Sequence, residues 1–242
     1  CWHAPYAARF PAWLREHGAR FDVALVSRHY IAGEMLPLLR RYAPNARVLF
    51  DTVDLHYLRE RRAAELAGDA AAMRAAMRTR DLELALIHEA DATLVVSEVE
   101  RALLAIDATG ADVRVLSNLH RETPPGPAWS QRDGLLFVGG FRHPPNVDAV
   151  LWFAREVLPR IRAVRPTLEF HCVGGDVPHE LARLAELPGI RIHGHVPDLQ
   201  PLLDGARVSI APLRYGAGVK GKVNQAMAHG LPPVAFSDCA GV

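Results

Sequence analysis

A glycine-rich stretch, residues 215–223, holds both lysines of this 242-residue chain, and we term it the lysine loop. Lys220 and Lys222 stand one residue apart, whereas the other basic residues are all arginine. The loop follows a strand-like run and leads into a helix-like segment that ends at Gly230. Glycine lets backbone N–H groups approach an anion, and a helix N-terminus adds about half a positive charge. These features predict that Gly218 and the two lysines bind a diphosphate; a surface loop with two solvated lysines is the alternative.

A second glycine pair, Gly139-Gly140, is followed by Arg142 and ends the first strand-like run of the second half. Glycine at such a position either lets a ligand approach the backbone or makes a tight turn into the next helix. Both readings stay open on the sequence alone.

The stretch 50–60 begins at the carboxyl end of a strand-like run, where active-site groups of parallel sheets collect. Asp54 and His56 could supply hydrogen bonds or charge there. The alternative is structural: Asp54 caps the following helix and His56 packs against it.

Composition excludes several classes of protein. The formal net charge is +1, and both halves are nearly balanced, so a nucleic-acid partner has no support. No apolar run approaches the ~18 residues of a membrane span, and no signal-peptide pattern opens the chain. The three cysteines are too few and too scattered for a disulfide framework or a zinc site. The histidines lack metal-ligand spacing, Cys172 lies inside a strand pattern as a buried thiol, and we predict no metal.

Short apolar runs alternate with longer helical patterns, as in βαβ units of a parallel sheet. Ser97 followed by Glu100 is a capping-box pattern, and Gly68 divides a long helical stretch in two. The predicted strands are 23–26, 47–50, 92–96, 113–116, 135–138, 168–173, 190–192, 208–210 and 234–236. The predicted helices are 60–89, 97–104, 147–164, 178–187, 199–205 and 220–229.

The alternation stops once, in a proline-rich stretch without periodicity, and then restarts. We therefore predict a domain over residues 1–120, a hinge over 121–133 and a second domain over 134–242. The fold class is α/β, with two Rossmann-like, doubly wound parallel sheets that face each other across a cleft. Both domains are expected to be incomplete, because the chain starts at Cys1 rather than Met and stops just beyond a strand-like run.

Taken together, several segments resemble the GT-B glycosyltransferases of family 4, also called group 1 glycosyltransferases. The resemblance is carried in the second half by residues 136–140, 145–153, 157–159, 173–174, 194–198 and 218–232. In the first half it is carried by residues 51–62 and 91–104. The likeness covers most of the chain and is more specific after the hinge, where six ordered patches match.

This resemblance implies a retaining, metal-independent transfer of a sugar from a nucleotide-sugar donor to a saccharide or glycoconjugate acceptor. It implies no cofactor, because the donor is a substrate. The donor would lie mainly on the second domain, with Lys222 on its diphosphate and Lys220 beside it. His56 falls near the family's histidine beside the reacting sugar. The remaining implied donor-binding residues are Gly139, Gly140, Arg142, Gly218 and Gln225.

Gln225 departs from the family, which often has a glutamate there to hold the donor ribose. An amide can bind hydroxyls but carries no negative charge. The alternative function is therefore a non-catalytic nucleotide-sugar-binding or interaction module; a sugar-nucleotide epimerase would share the two-domain fold but not these motifs. The expected location is the cytoplasm, with peripheral attachment to a membrane left open.

Overall fold

The computed structural model describes residues 6–120, 123–124 and 126–236. Three residues of the predicted hinge, and the final segment 237–242, lie outside this part, as do Cys1 and Cys239. The described residues form two compact units. The first comprises 6–117 together with 217–219, and the second comprises the rest.

The first unit is a parallel four-stranded sheet with helices between its strands. Its elements are α1 (Phe10–His17), β1 (Val23–Ser27), α2 (His29–Tyr42), β2 (Arg47–Asp51), α3 (His56–Ala67), α4 (Ala70–Glu89), β3 (Ala92–Val95), α5 (Glu98–Asp107) and β4 (Val113–Val115). The strands lie in chain order, and Val26 on β1 is paired with Phe50 on β2. Phe50, Leu104 and Tyr57 are fully buried in one core between sheet and helices.

The break between α3 and α4 lies at Gly68, as predicted. Gly68 has a φ of +64°, the left-handed conformation that glycine adopts at no steric cost. Asp69 then caps α4, because its carboxylate accepts hydrogen bonds from the amides of Ala71 and Ala72 at 2.8 and 3.0 Å.

The second unit is a parallel five-stranded sheet. Its elements are β5 (Leu135–Val138), α6 (Pro144–Trp152), α7 (Leu158–Val164), β6 (Phe170–Val173), α8 (His179–Ala182), β7 (Ile190–Gly194), α9 (Gln200–Gly205), β8 (Val208–Ala211), α10 (Gly221–Ala228) and β9 (Pro233–Ala235). A π-helical turn, Phe153–Val157, joins α6 to α7. Short 3-10 turns at Tyr6–Arg9, Gly18–Arg20, Trp129–Gln131 and Arg183–Glu186 complete the two units.

The strand order of the second sheet is β7-β6-β5-β8-β9. The chain thus builds outward from β5 in one direction and then returns to its other side with β8. In parallel α/β sheets, ligands bind outside the carboxyl ends of the strands where the order reverses. This geometry singles out the loops that follow β5 and β8. No such reversal occurs among the described strands of the first sheet.

All nine predicted strands are present, each within about two residues of its expected ends. Two of the observed helices, α1 and α2, were not predicted. No helix in the described ranges is long and apolar enough to cross a membrane.

Candidate functional site

The lysine loop lies after β8 and runs into α10, next to the reversal of strand order. Lys220 is the residue before the first turn of α10, and its side chain is buried, with 9% of its surface exposed. Lys222 lies in that first turn. Gly230, as predicted, follows the helix in the left-handed conformation, with a φ of +63°. Two cationic side chains therefore meet the positive end of a helix dipole, which favours an anionic ligand.

Lys222 is held by one side chain on α6 and one on β5. Its Nζ donates a hydrogen bond to Oδ1 of Asn146 at 2.7 Å and lies 4.9 Å from the centroid of the Phe137 ring. The second distance is typical of a cation–π contact. Burial, followed by repulsion from Lys220, lowers the pKa of Lys222 to about 8. A neighbouring anion would relieve both effects.

The glycine pair after β5 is fixed by the same asparagine. Nδ2 of Asn146 donates to the carbonyl of Gly140 at 2.8 Å, so this side chain bridges the glycine turn and Lys222. A Cβ on Gly139 would lie only 2.8 Å from Asn146 Nδ2, whereas a Cβ on Gly140 would meet nothing within 4 Å. Gly139 is therefore required by packing, and Gly140 leaves open space above the backbone. Sequence reasoning did not single out Asn146 as a site residue, although the Pro-Asn pair after the glycines was a usable signal.

The other predicted donor-binding residues lie in different surroundings. Arg142 is largely exposed, and its Nε forms an ion pair with Asp176 at 3.0 Å. Gly218 has a φ of +67°, but its contacts group it with the first unit. Gln225 lies partly buried on α10, one turn beyond Lys222. The structure thus brings Lys222 together with Asn146, which binds the glycine turn after β5. Arg142 instead forms a separate ion pair with Asp176.

In the first unit, His56 is the first residue of α3 and lies at the end of the loop after β2. Two non-glycine residues in this region have positive φ: Val53, at +65° in this loop, and Arg28, at +74° between β1 and α2. For a β-branched residue such as Val53 this conformation is strained, and such strain concentrates at functional sites. Asp51 bonds both segments, because its carbonyl accepts from Arg28 N at 2.8 Å and its Oδ1 accepts from Val53 N at 3.0 Å.

A fully buried carboxylate supports the start of α3. Oε1 and Oε2 of Glu83, on α4, accept hydrogen bonds from the amides of His56 and Tyr57 at 3.1 and 2.8 Å. The capping role considered for Asp54 is therefore wrong: the residue preceding the helix is Leu55, and the amides bind Glu83 instead. Burial raises the pKa of Glu83 to about 7.

Glu100, on α5, supports the same loop from another side. The amide of Glu100 donates to Oγ of Ser97 at 3.2 Å, as the capping pattern predicts. Its carboxylate does not return to Ser97, however, and accepts from the amides of Leu55 and Val96 at 3.2 and 3.3 Å. Burial raises the pKa of this carboxyl above its ordinary value. Two buried glutamates thus fix the backbone on which His56 is carried.

The His56 ring lies among polar groups. Its Nδ1 is 3.2 Å from the carbonyl of Asp54 and 3.4 Å from Oδ1 of the same residue, whose other oxygen is paired with Arg59. The His29 ring, on α2, packs edge-on against His56 with the ring centroids 4.6 Å apart. Burial lowers the pKa of both histidines, so their neutral forms are favoured near pH 7. His29 was missed by sequence reasoning, as was the helix that carries it.

Two other expectations concern groups away from these sites. Cys172 is buried in β6, and burial raises the pKa of its thiol to about 12, so the expectation of an unreactive thiol stands. His193 lies at the end of β7, as predicted, and its Nε2 is 2.9 Å from Nδ1 of His171.

Comparison with known protein families gives a match over most of the second unit. Residues 132–242 match the family described as Glycosyl transferases group 1. This segment contains the whole second sheet and the lysine loop. The match supports, for this domain, the glycosyltransferase class predicted from the sequence. No curated protein matches the chain.

Solved structures that resemble the chain share its GT-B fold at low sequence identity. S. aureus TarM, in complex with Fondaparinux, alpha-GlcNAc-glycerol and UDP, matches with a TM-score of 0.72 and 14% identity over 93% of this chain. Sucrose-phosphate synthase from Thermosynechococcus elongatus matches with a TM-score of 0.68 and 18% identity over 95%. Anabaena HepE, in complex with UDP and glucose, matches with a TM-score of 0.64 and 14% identity over 96%. The predicted fold class, two parallel-sheet domains of GT-B type, is confirmed.

The chain spans only part of these proteins. It covers 44% of TarM, 60% of the sucrose-phosphate synthase and 63% of HepE. The match therefore concerns a shared architecture within longer chains.

Proposed function

We propose that this protein transfers a sugar from a nucleotide-sugar donor to a saccharide or glycoconjugate acceptor, as a family 4 glycosyltransferase. The observation that carries the proposal is the anion site of the second unit. There Lys222, bridged by Asn146 to the glycine turn after β5, lies in the first turn of α10 where the strand order reverses. The matched family and the UDP-bound structures of similar fold support the same class of ligand.

In this proposal the leaving nucleoside diphosphate is the group that the site stabilises. Negative charge on the diphosphate grows as the glycosidic bond breaks, and fixed cations and backbone dipoles stabilise it without reorganising. Lys222 and Lys220 supply this charge, and the open space above Gly140 allows the donor to approach the backbone. The proposed transfer retains the anomeric configuration and uses no metal, and His56 contacts the reacting sugar. We place the enzyme in the cytoplasm.

The proposal is tested first by binding of UDP, GDP and ADP, measured by isothermal titration calorimetry on the 242-residue chain. Lys222→Met should weaken binding of the preferred nucleotide at least about tenfold, because a buried charge-assisted contact is lost. Arg165→Met is the matched control, since Arg165 is exposed and precedes the amino end of β6, at the opposite edge of the sheet. Equal affinity of wild type and Lys222→Met would refute the diphosphate site.

Transfer is tested separately, with radiolabelled nucleotide sugars and a panel of saccharide acceptors. A labelled product that requires Lys222 is the expected result. Donor binding without hydrolysis or transfer across the panel would favour the non-catalytic binding module, for which the uncharged Gln225 is the motivating residue.

A further inference from the structure

The three side chains His29, His56 and Glu83 form a cluster in the first unit, which we term the histidine cluster. Each comes from a different helix, α2, α3 or α4. One donor atom from each lies within 4.8 Å of the others. Within the described part of the chain, no other group of three histidine, cysteine or acidic side chains has donor atoms that could share an ion.

The distances suit chelation. Nδ1 of His29 and Nδ1 of His56 each lie 3.7 Å from Oε1 of Glu83. In a tetrahedral zinc site with bonds of about 2.0–2.2 Å, neighbouring donor atoms are about 3.3–3.5 Å apart. Each of these two nitrogen–oxygen pairs would contract by only a few tenths of an ångström, and Nδ1 of His56 would exchange its 3.2 Å contact with the Asp54 carbonyl for the ion. Two imidazoles and one carboxylate are a common ligand set for zinc sites that keep a position for water.

One donor of the cluster lacks a partner. Nδ1 of His29 is buried and makes no hydrogen bond within the described residues. Buried polar atoms are nearly always satisfied, so this nitrogen, 3.7 Å from the Glu83 carboxylate, is available to an added ligand. The carboxylate is oriented by its two amide hydrogen bonds, as outer partners commonly orient metal ligands.

We infer that the histidine cluster is a binding site for a divalent transition-metal ion, of which Zn²⁺ is the best fit. The helix ends and the ligand types together select this class of ion. The first turns of α2 and α3 both begin at the cluster, and their positive ends disfavour a cation. A hard ion such as Mg²⁺, which is held by charge alone, therefore gains little. Zn²⁺ gains from directed bonds to imidazole nitrogen. The side chain of His29 is 14% exposed and provides access for the ion.

Occupancy would change the role of His56. A histidine nitrogen bound to a metal is not available to a sugar, so the metal-bound state would be inhibited if His56 acts in transfer. Binding of the ion itself does not depend on the proposed function, and it is tested without any measurement of transfer.

The experiment is a titration of the chelator-treated 242-residue chain with Co²⁺ and Zn²⁺. Co²⁺ should give the visible absorption of a low-coordinate site, and Zn²⁺ should displace it with a stoichiometry of one per chain. His29→Gln should weaken Zn²⁺ binding at least about tenfold. His88→Gln is the matched control, because His88 is exposed on α4, the helix that carries Glu83. Mg²⁺ at the same concentration should not displace Co²⁺.

A rival pair lies in the second unit, where His171 and His193 are 2.9 Å apart. His171→Gln should leave the affinity unchanged. Loss of binding in His171→Gln but not in His29→Gln would overturn the inference, and so would the absence of any saturable Co²⁺ absorption in the wild type.

Discussion

We predict that Lys222 makes the free energy of unfolding of the second unit rise with pH between about 8 and 10.5. Burial and repulsion from Lys220 lower its pKa from 10.5 to about 8. A shift of this size amounts to about 3 kcal/mol that disfavours the charged form in the folded protein. Below pH 8 the lysine is charged in both folded and unfolded states, and the folded state bears this cost in full.

The sign follows from proton binding. Between the two pKa values the unfolded chain holds a proton that the folded chain has released, so the free energy of unfolding rises with pH. This contribution to stability is complete above about pH 10.5 and is lost as the pH falls through about 8. Lys222→Met removes the titrating group and should remove about 3 kcal/mol of pH dependence over this interval.

The assay is urea unfolding of wild type, Lys222→Met and the exposed control Arg165→Met at intervals from pH 7 to 10.5. Only the change with pH is compared, because Lys222→Met also leaves Oδ1 of Asn146 without its donor, which adds a cost that does not depend on pH. Parallel pH profiles for wild type and Lys222→Met would show that the ammonium is not desolvated and would refute the reasoning.

The site should also take up close to one proton when a nucleoside diphosphate binds at pH 9, measured by calorimetry in buffers of different ionisation enthalpy.

Three further predictions concern the surroundings of the two candidate sites. Gly139→Ala should lower the free energy of unfolding in urea by about 1–3 kcal/mol, because its methyl group would displace Asn146. Gly140→Ala, the control, should change this free energy by less than about 0.5 kcal/mol. Equal effects of the two substitutions would contradict the packing argument. Gln225→Glu should tighten nucleoside diphosphate binding, measured by calorimetry, because charge-assisted hydrogen bonds to ribose are about twice as strong as neutral ones. Unchanged affinity would exclude a contact between this residue and the ribose. Glu100→Ala should destabilise the first unit by at least about 2 kcal/mol and speed hydrogen exchange of the three amides that its carboxylate accepts from, those of Leu55, Val96 and Gly218. Unchanged exchange would refute this role.

The strands were predictable because buried parallel strands are short apolar runs, and turn residues mark their ends. The helix ends at Gly68 and Gly230 were predictable for the same reason, since both glycines adopt the left-handed conformation. Helix α2 was missed because Gly33 and Pro37 interrupt its pattern. In the structure Pro37 lies inside the helix, and packing of Leu36 and Leu39 into the core outweighs its cost.

The partners of the site residues were less predictable. Glu83 and Glu100 lie in helical stretches rich in charged residues, where a carboxylate is normally solvated. Only the tertiary structure shows that both are buried and bind the loop that carries His56. The local sequence predicts that a glutamate lies in a helix, but it does not predict which distant amide donates a hydrogen bond to its carboxylate. The missing contacts therefore concern residues 26 to 45 positions apart.

The choice of lysine in the lysine loop has a physical reason in a chain whose other basic residues are all arginine. The ammonium of Lys222 lies over the Phe137 ring and donates one hydrogen bond to Oδ1 of Asn146, and its compact head can turn its other two donors toward a ligand. A guanidinium is a planar group with five donors and stays charged at any physiological pH. In this position it would have donors without acceptors in the absence of ligand. A lysine whose pKa falls to about 8 on burial releases its proton from the empty site only above that pH, and recovers it there when an anion binds. The same burial that destabilises the empty site thus makes its charge respond to the ligand.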